Sequence, residues 1–173
     1  SISYFTQFFI LFLLKTKDMK RSVYFDTTIP SYLFDERESI RYLCEITRKW
    51  WKEEKNNYEI FTSTETIAEL NRGNYPRKPE ILEFIQKLEQ LAPTSEIMEV
   101  VNYYLENKLM PEDVKGDAAH LAYSSFYKID FLLTWNCNHL ANANKKQHIR
   151  IINNRLNLFV PEIITPLELF TNQ

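Results

Sequence analysis

Three carboxylates stand where a chain can carry side chains to one edge of a sheet. Asp26 closes a short, apolar, β-forming run (22–26, SVYFD) and opens the turn Thr27-Thr28-Ile29-Pro30. Glu69 falls in a helical stretch after a second β-forming run (58–62, YEIFT), with Ser63 placed to cap the start of that helix and Gly73 just past its end. Asp117 follows Gly116 at the head of another helical stretch, DAAHLAYSSFYK, which leads to a third apolar run, FLLTW (131–135), ended by Asn136. Carboxylates that converge need a cation: two unit charges about 4 Å apart repel by about 4 kcal/mol at an effective dielectric near 20, so the cluster raises a pKa or binds metal. Oxygen ligands point to magnesium or manganese rather than zinc. Such an ion generates a hydroxide nucleophile and neutralises charge on a phosphodiester oxygen, so the chemistry is metal-assisted hydrolysis.

Each acid also has an ordinary reading. Asp26 can start a turn, Glu69 can be a solvated helix residue, and Asp117 can face the dipole of the helix it begins. What favours a site is their joint placement on alternating strands and helices. That alternation predicts an α/β domain with a mainly parallel sheet, in which ligands bind outside the carboxyl ends of the strands.

The remaining segments fill out the frame. Ile40, Leu43, Ile46, Trp50 and Trp51 recur at helical spacing over 39–54. Two further amphipathic stretches, 79–91 and 95–108, separated by Ala92-Pro93-Thr94, suggest a helical hairpin. Residues 138–158 are expected to be helical, and 163–165 to form a last short strand. The length, 173 residues with 45% hydrophobic content, suits one domain with one sizeable core.

The composition excludes several classes. With two glycines there is no glycine-rich phosphate loop, and Cys44 and Cys137 form no zinc or disulfide pattern, which points to a reducing cytoplasm. The apolar run 8–14 is too short to span a membrane and no basic region precedes it. Residues 1–18 are expected to be an extension outside a core domain of 19–173, starting at Met19; the alternative is a buried helix or dimer contact.

The segments VYFDTTIPSY, TSTETIAEL, GDAAHLAYSS and FLLTWN resemble, in order and spacing, the four acidic-site segments of PIN-domain proteins, in particular VapC-like toxins of type II toxin-antitoxin systems. The resemblance extends over 20–170. It implies a Rossmann-like, three-layer α/β/α fold and a metal site of Asp26, Glu69 and Asp117, with Asn136 at the fourth position. It also implies metal-dependent cleavage of RNA, a cognate antitoxin, and a homodimer. Thr27 and Thr134 match the family's hydroxyl positions, which implies a role in orienting water or ligands.

The chain departs from that pattern at Asn136, where many PIN domains carry an aspartate. An amide oxygen can coordinate magnesium, but it adds no charge and cannot act as a base, so weaker metal binding is expected. His139, one helical turn on, is a candidate phosphate contact, with a structural role as the alternative. Asp130 precedes the third strand and belongs at the opposite edge of the sheet. Net charge is -2 and the pI about 6.0, so RNA affinity has to come from a local surface. The acid-free stretch 137–160 offers Lys145, Lys146, Arg150 and Arg155 for phosphate contacts, or a solvated basic face.

Two enzyme classes that also place an acid after the first strand fit less well. Haloacid-dehalogenase-type phosphatases carry Asp-x-Asp there, and Asp26-Thr27-Thr28 lacks the second Asp. Receiver domains want clustered acids and a late lysine. The other reading is a PIN fold kept as a catalytically inactive nucleic-acid-binding or scaffold module.

Overall fold

The computed structural model describes residues 20–110, 115–138, 140–141 and 143–171. The expectations for residues 1–18 and for His139 fall outside these. Five strands form one sheet: β1 (Arg21–Phe25), β2 (Tyr58–Ser63), β3 (Glu89–Leu91), β4 (Phe131–Leu133) and β5 (Glu162–Ile164), in the order β3-β2-β1-β4-β5 and all parallel. Seven α-helices are described: α1 (Thr28–Phe34), α2 (Arg41–Glu54), α3 (Thr64–Arg72), α4 (Lys78–Ile85), α5 (Ser95–Glu106), α6 (Lys115–Phe126) and α7 (Ala143–Arg155). None of the described helices is long and apolar enough to cross a membrane.

Strand alternation builds the three layers. Tyr24, Leu132 and Ile163 point to one face, where they pack with Ile97, Val101 and Tyr104 of α5, Leu121 of α6 and Ile149 and Ile152 of α7. Val23, Phe25, Phe131, Leu133 and Ile164 point to the other face, against Trp50 of α2 and Ile29 of α1. Both faces of β1 and β4 are therefore buried, as parallel strands require. Strand order reverses between β1 and β4, because β1 connects onward to β2 while β4 lies on its other side. A crevice at such a reversal is where open α/β sheets bind ligands.

The structure corrects the helical hairpin expected over 79–108. Helix α4 stops at Ile85, closed by tight turns from Lys87 N–H to Phe84 and from Leu88 N–H to Ile85, and residues 89–91 pair with β2 as a parallel edge strand. Only Leu91 of that strand is buried, so it shows no alternation to read. The last helix is also shorter than expected. Residues 137, 138 and 140 lie in turns, and α7 runs only from Ala143 to Arg155.

The expected apolar face of α2 shifts as well. Cys44, Thr47, Trp50 and Glu54 are the buried positions, while Ile40, Leu43, Ile46 and Trp51 are partly covered. The polar members are paired: Thr47 accepts from Trp135 Nε1 at 2.7 Å, and Glu54 accepts from the Thr171 backbone and hydroxyl. Gly73 does follow α3, but in an extended conformation (φ -73, ψ 161) rather than a left-handed one. A side chain there would collide with the Tyr75 ring, which is what its absence makes room for.

Candidate active site

Asp26 follows β1 at its carboxyl end and is almost fully buried. Burial is affordable only because both carboxylate oxygens are bonded. Oδ1 accepts from the Thr28 backbone N–H at 2.9 Å and the Thr28 hydroxyl at 2.5 Å, while Oδ2 accepts from the Thr134 hydroxyl at the end of β4. Burial pushes the pKa of Asp26 up, against the opposing pull of His120 and these hydrogen bonds. The Thr28 hydroxyl in turn accepts from Trp135 N–H at 2.9 Å, and Thr134 Oγ1 from Asn136 N–H at 2.8 Å. Two threonines thus lock the ends of β1 and β4 together at the reversal point.

Glu69 lies on α3, whose start is fixed by Ser63: its side chain accepts from Thr66 N–H. The two oxygens of Glu69 have separate donors. Oε1 accepts from the Thr27 hydroxyl at 3.3 Å, and Oε2 from Nε2 of His120 at 3.0 Å. Burial alone would raise the pKa of Glu69, but the hydrogen bond and charge of His120, with Thr27, hold it below the usual value.

His120 itself is 1% exposed. Its Nδ1 meets the Tyr24 hydroxyl at 3.0 Å, and that hydroxyl also contacts Ser63 at 2.6 Å and Thr66 at 3.1 Å. Burial opposes a charge on this imidazole; Tyr24, Glu69 and Asp26 outweigh it and set its pKa well above the ordinary value.

Asp117 sits in the first turn of α6, three residues and so about one turn from His120. Both its oxygens accept from the Asn136 side-chain amide, at 3.0 and 2.9 Å. This is the amide's donor end, so the Asn136 oxygen is directed away from Asp117.

A continuous set of contacts therefore links the predicted site residues: Asp26 to Thr134, Thr134 to the Asn136 backbone, Asn136 to Asp117, and Thr27 from the Asp26 side to Glu69. All lie at the carboxyl end of the sheet. Asp130, excluded from the site, is at the other end, where its Oδ2 accepts from Ser22 N–H and hydroxyl at 2.8 and 2.9 Å.

His120 was passed over in the sequence, although it lies on the same helical face as Asp117 in GDAAHLAYSS. The i, i+3 spacing is the signal that could have found it.

The donor set suits a hard divalent ion: three carboxylates and an amide oxygen. Among the described residues no three His, Cys, Asp or Glu side chains are gathered tightly enough to hold a metal as they stand. The carboxylates are held instead by Thr28, Thr134, Thr27, His120 and Asn136.

The basic residues have different immediate surroundings. Lys145 Nζ donates to the Leu109 carbonyl, tying α7 to the end of α5. Lys146 and Arg150 line a cavity of about 330 Å³ with Val160, Pro161, Glu162 and Ile163, on the flank of β5. Arg155 closes α7, about 18 Å along the helix from Ala143 at roughly 1.5 Å per residue.

No family model and no curated protein matches the sequence. Solved structures do match. VapC20 of Mycobacterium tuberculosis, described as a sarcin-ricin loop cleaving toxin, superposes with a TM-score of 0.53 at 17% identity, over 68% of this chain and 92% of its own. VapBC-1 of nontypeable Haemophilus influenzae superposes with a TM-score of 0.51 at 18% identity, over 84% of this chain and 98% of its own. With the five-stranded parallel sheet and helices on both faces, these likenesses show that the chain has the PIN-domain, VapC-like fold.

Proposed function

We propose that the chain is a magnesium- or manganese-dependent endoribonuclease and the toxin of a type II toxin-antitoxin pair. The observation that carries this reading is the linked set Asp26, Glu69, Asp117 and Asn136 at the β1/β4 reversal, on a fold shared with an RNA-cleaving toxin.

Asp26, Glu69 and Asp117 would hold the ion, joined by Asn136 if its amide turns to present its oxygen instead of its N–H groups. When bound, it supplies an activated water and neutralises charge on the scissile phosphate. The chain's own residues do the orienting. Thr28 and Thr134 fix the plane of the Asp26 carboxylate, Thr27 and His120 fix that of Glu69, and Asn136 fixes Asp117. RNA backbone contacts would come from Lys146, Arg150 and Arg155, spaced along α7. His139 belongs to this reading as a candidate phosphate contact. An antitoxin that occludes the site and a homodimer follow as partners, in a cytoplasmic setting.

A second reading has one observation behind it. Asn136 already satisfies both oxygens of Asp117, as a retired site would be satisfied, so a binding or scaffold module is the alternative. Cleavage separates the two. The wild-type chain should cut a mixed RNA pool with manganese or magnesium, and Asp26→Asn and Asp117→Asn should each lower the rate by about 100-fold or more, the scale of losing a principal electrostatic contributor. Folded variants that cut as well as wild type would contradict the assignment.

A further inference from the structure

Glu69 is confined from three sides. Thr27 holds Oε1, His120 holds Oε2, and the backbone of Gly116 lies so close that a Cβ added there would come within 2.8 Å of Oε2. An ionised carboxylate only accepts hydrogen bonds, so His120 Nε2 carries a hydrogen whichever charge state the ring holds. The ring cannot turn freely, because Nδ1 is engaged by Tyr24, itself anchored on Ser63 and Thr66 at the start of α3. The same helix start that aims Glu69 therefore also sets the ring that receives it. Gly116 stands one residue before Asp117 in α6, where its right-handed conformation asks for no glycine. Alanine would be the better helix former by about 1 kcal/mol. The missing side chain is explained by the room it leaves for Glu69.

We propose that His120 and Gly116 are positioning residues for Glu69: together with Thr27 they restrict its carboxylate to the site and so raise its affinity for a divalent cation, without touching the ion. This rests on the metal-dependent reading above. Groups that orient metal ligands from behind typically contribute about 10- to 100-fold in metal affinity.

The experiment is manganese binding to the whole chain, followed by electron paramagnetic resonance of the free ion, for wild type, Gly116→Ala, His120→Leu and His120→Gln, with thermal unfolding of each without metal. Gly116→Ala should remain folded, its gain in helix propensity offsetting part of the shift it forces on Glu69, yet bind manganese about 10-fold or more weakly. His120→Leu should lose a similar factor, and His120→Gln, which keeps a donor for Glu69, should recover most of it. Should His120→Leu fail to fold, Gly116→Ala carries the test, because its helix propensity rises. Wild-type affinity in folded Gly116→Ala would overturn the positioning role while leaving the metal site intact. Absence of manganese binding by wild type would instead overturn the metal-dependent reading and the positioning role with it.

Discussion

At the scale of single residues, Asn136 decides how the acidic set behaves without metal. Its amide donates to both oxygens of Asp117, which removes one repulsion from a cluster that otherwise has to bear it. Asn136→Asp would set a second carboxylate against Asp117, and two such charges about 4 Å apart repel by about 4 kcal/mol at an effective dielectric near 20. The variant should therefore unfold at lower temperature than wild type in chelator, and bind manganese more tightly, by about 10-fold or more. Calorimetry with and without manganese checks both signs. Unchanged affinity would mean that position 136 does not face the ion. Asp26 and Asp117 stood out because each ends or begins an element with a clear pattern, whereas Glu69, inside α3, stood out only through the resemblance of TSTETIAEL. His120 did not, because a lone histidine within an apolar helix reads as core until Tyr24 and Glu69 are seen on either side of it.

At the scale of elements, β1, β2 and β4 and the starts of α3 and α5 were readable, while β3, the start of α7 and the ends of α4 and α7 were not. For the helix ends, part of the reason lies in the glycine content. Helices α5, α6 and α7 all close with paired backbone bonds around a left-handed residue, and with only two glycines in the chain that residue is Lys108, Lys128 or Asn157. The usual sequence marker is missing, so the end of α7 was placed late. Left-handed backbone costs a non-glycine residue about 1–2 kcal/mol, part of which glycine returns through greater freedom when unfolded. Lys128→Gly should therefore stabilise the fold by about 0.5–1 kcal/mol, read from the urea midpoint. A loss of stability would show that the lysine side chain contributes more than its backbone conformation costs.

A second prediction at this scale concerns the end of α1. Asp35 is buried, with Oδ2 accepting from the Arg37 guanidinium at 2.9 and 2.6 Å and Oδ1 from Arg37 N–H and Nε at 2.9 and 3.0 Å, which holds its pKa below the usual carboxylate range. A lowered folded-state pKa stabilises the protein above the unfolded-state value of about 3.9, and that contribution is lost as pH falls through the folded-state value. Asp35→Asn should be less stable than wild type at pH 7, with the difference shrinking below about pH 4. A difference that stays constant down to acid pH would show that the charge is not what matters.

At the scale of the whole molecule, the parallel α/β plan followed from the alternation of segments, but the strand order did not. Nothing local in 89–91 or 162–164 says which neighbour each will pair with; three-residue edge strands are placed by the helices that precede them. The order β3-β2-β1-β4-β5 matters for function because it puts the ends of β1 and β4 side by side, and so brings Asp26 to Thr134 and Asn136. Within the basic stretch, Lys145 donates to the Leu109 carbonyl, while Lys146 and Arg150 line the cavity beside β5. The most direct measurement is cleavage of a mixed RNA pool by the wild-type chain in manganese, in chelator, and after manganese is restored to the chelated sample. The account predicts cutting, its loss, and its return. Cutting that persists in chelator, or none in any of the three by a folded protein that binds no manganese, would contradict it.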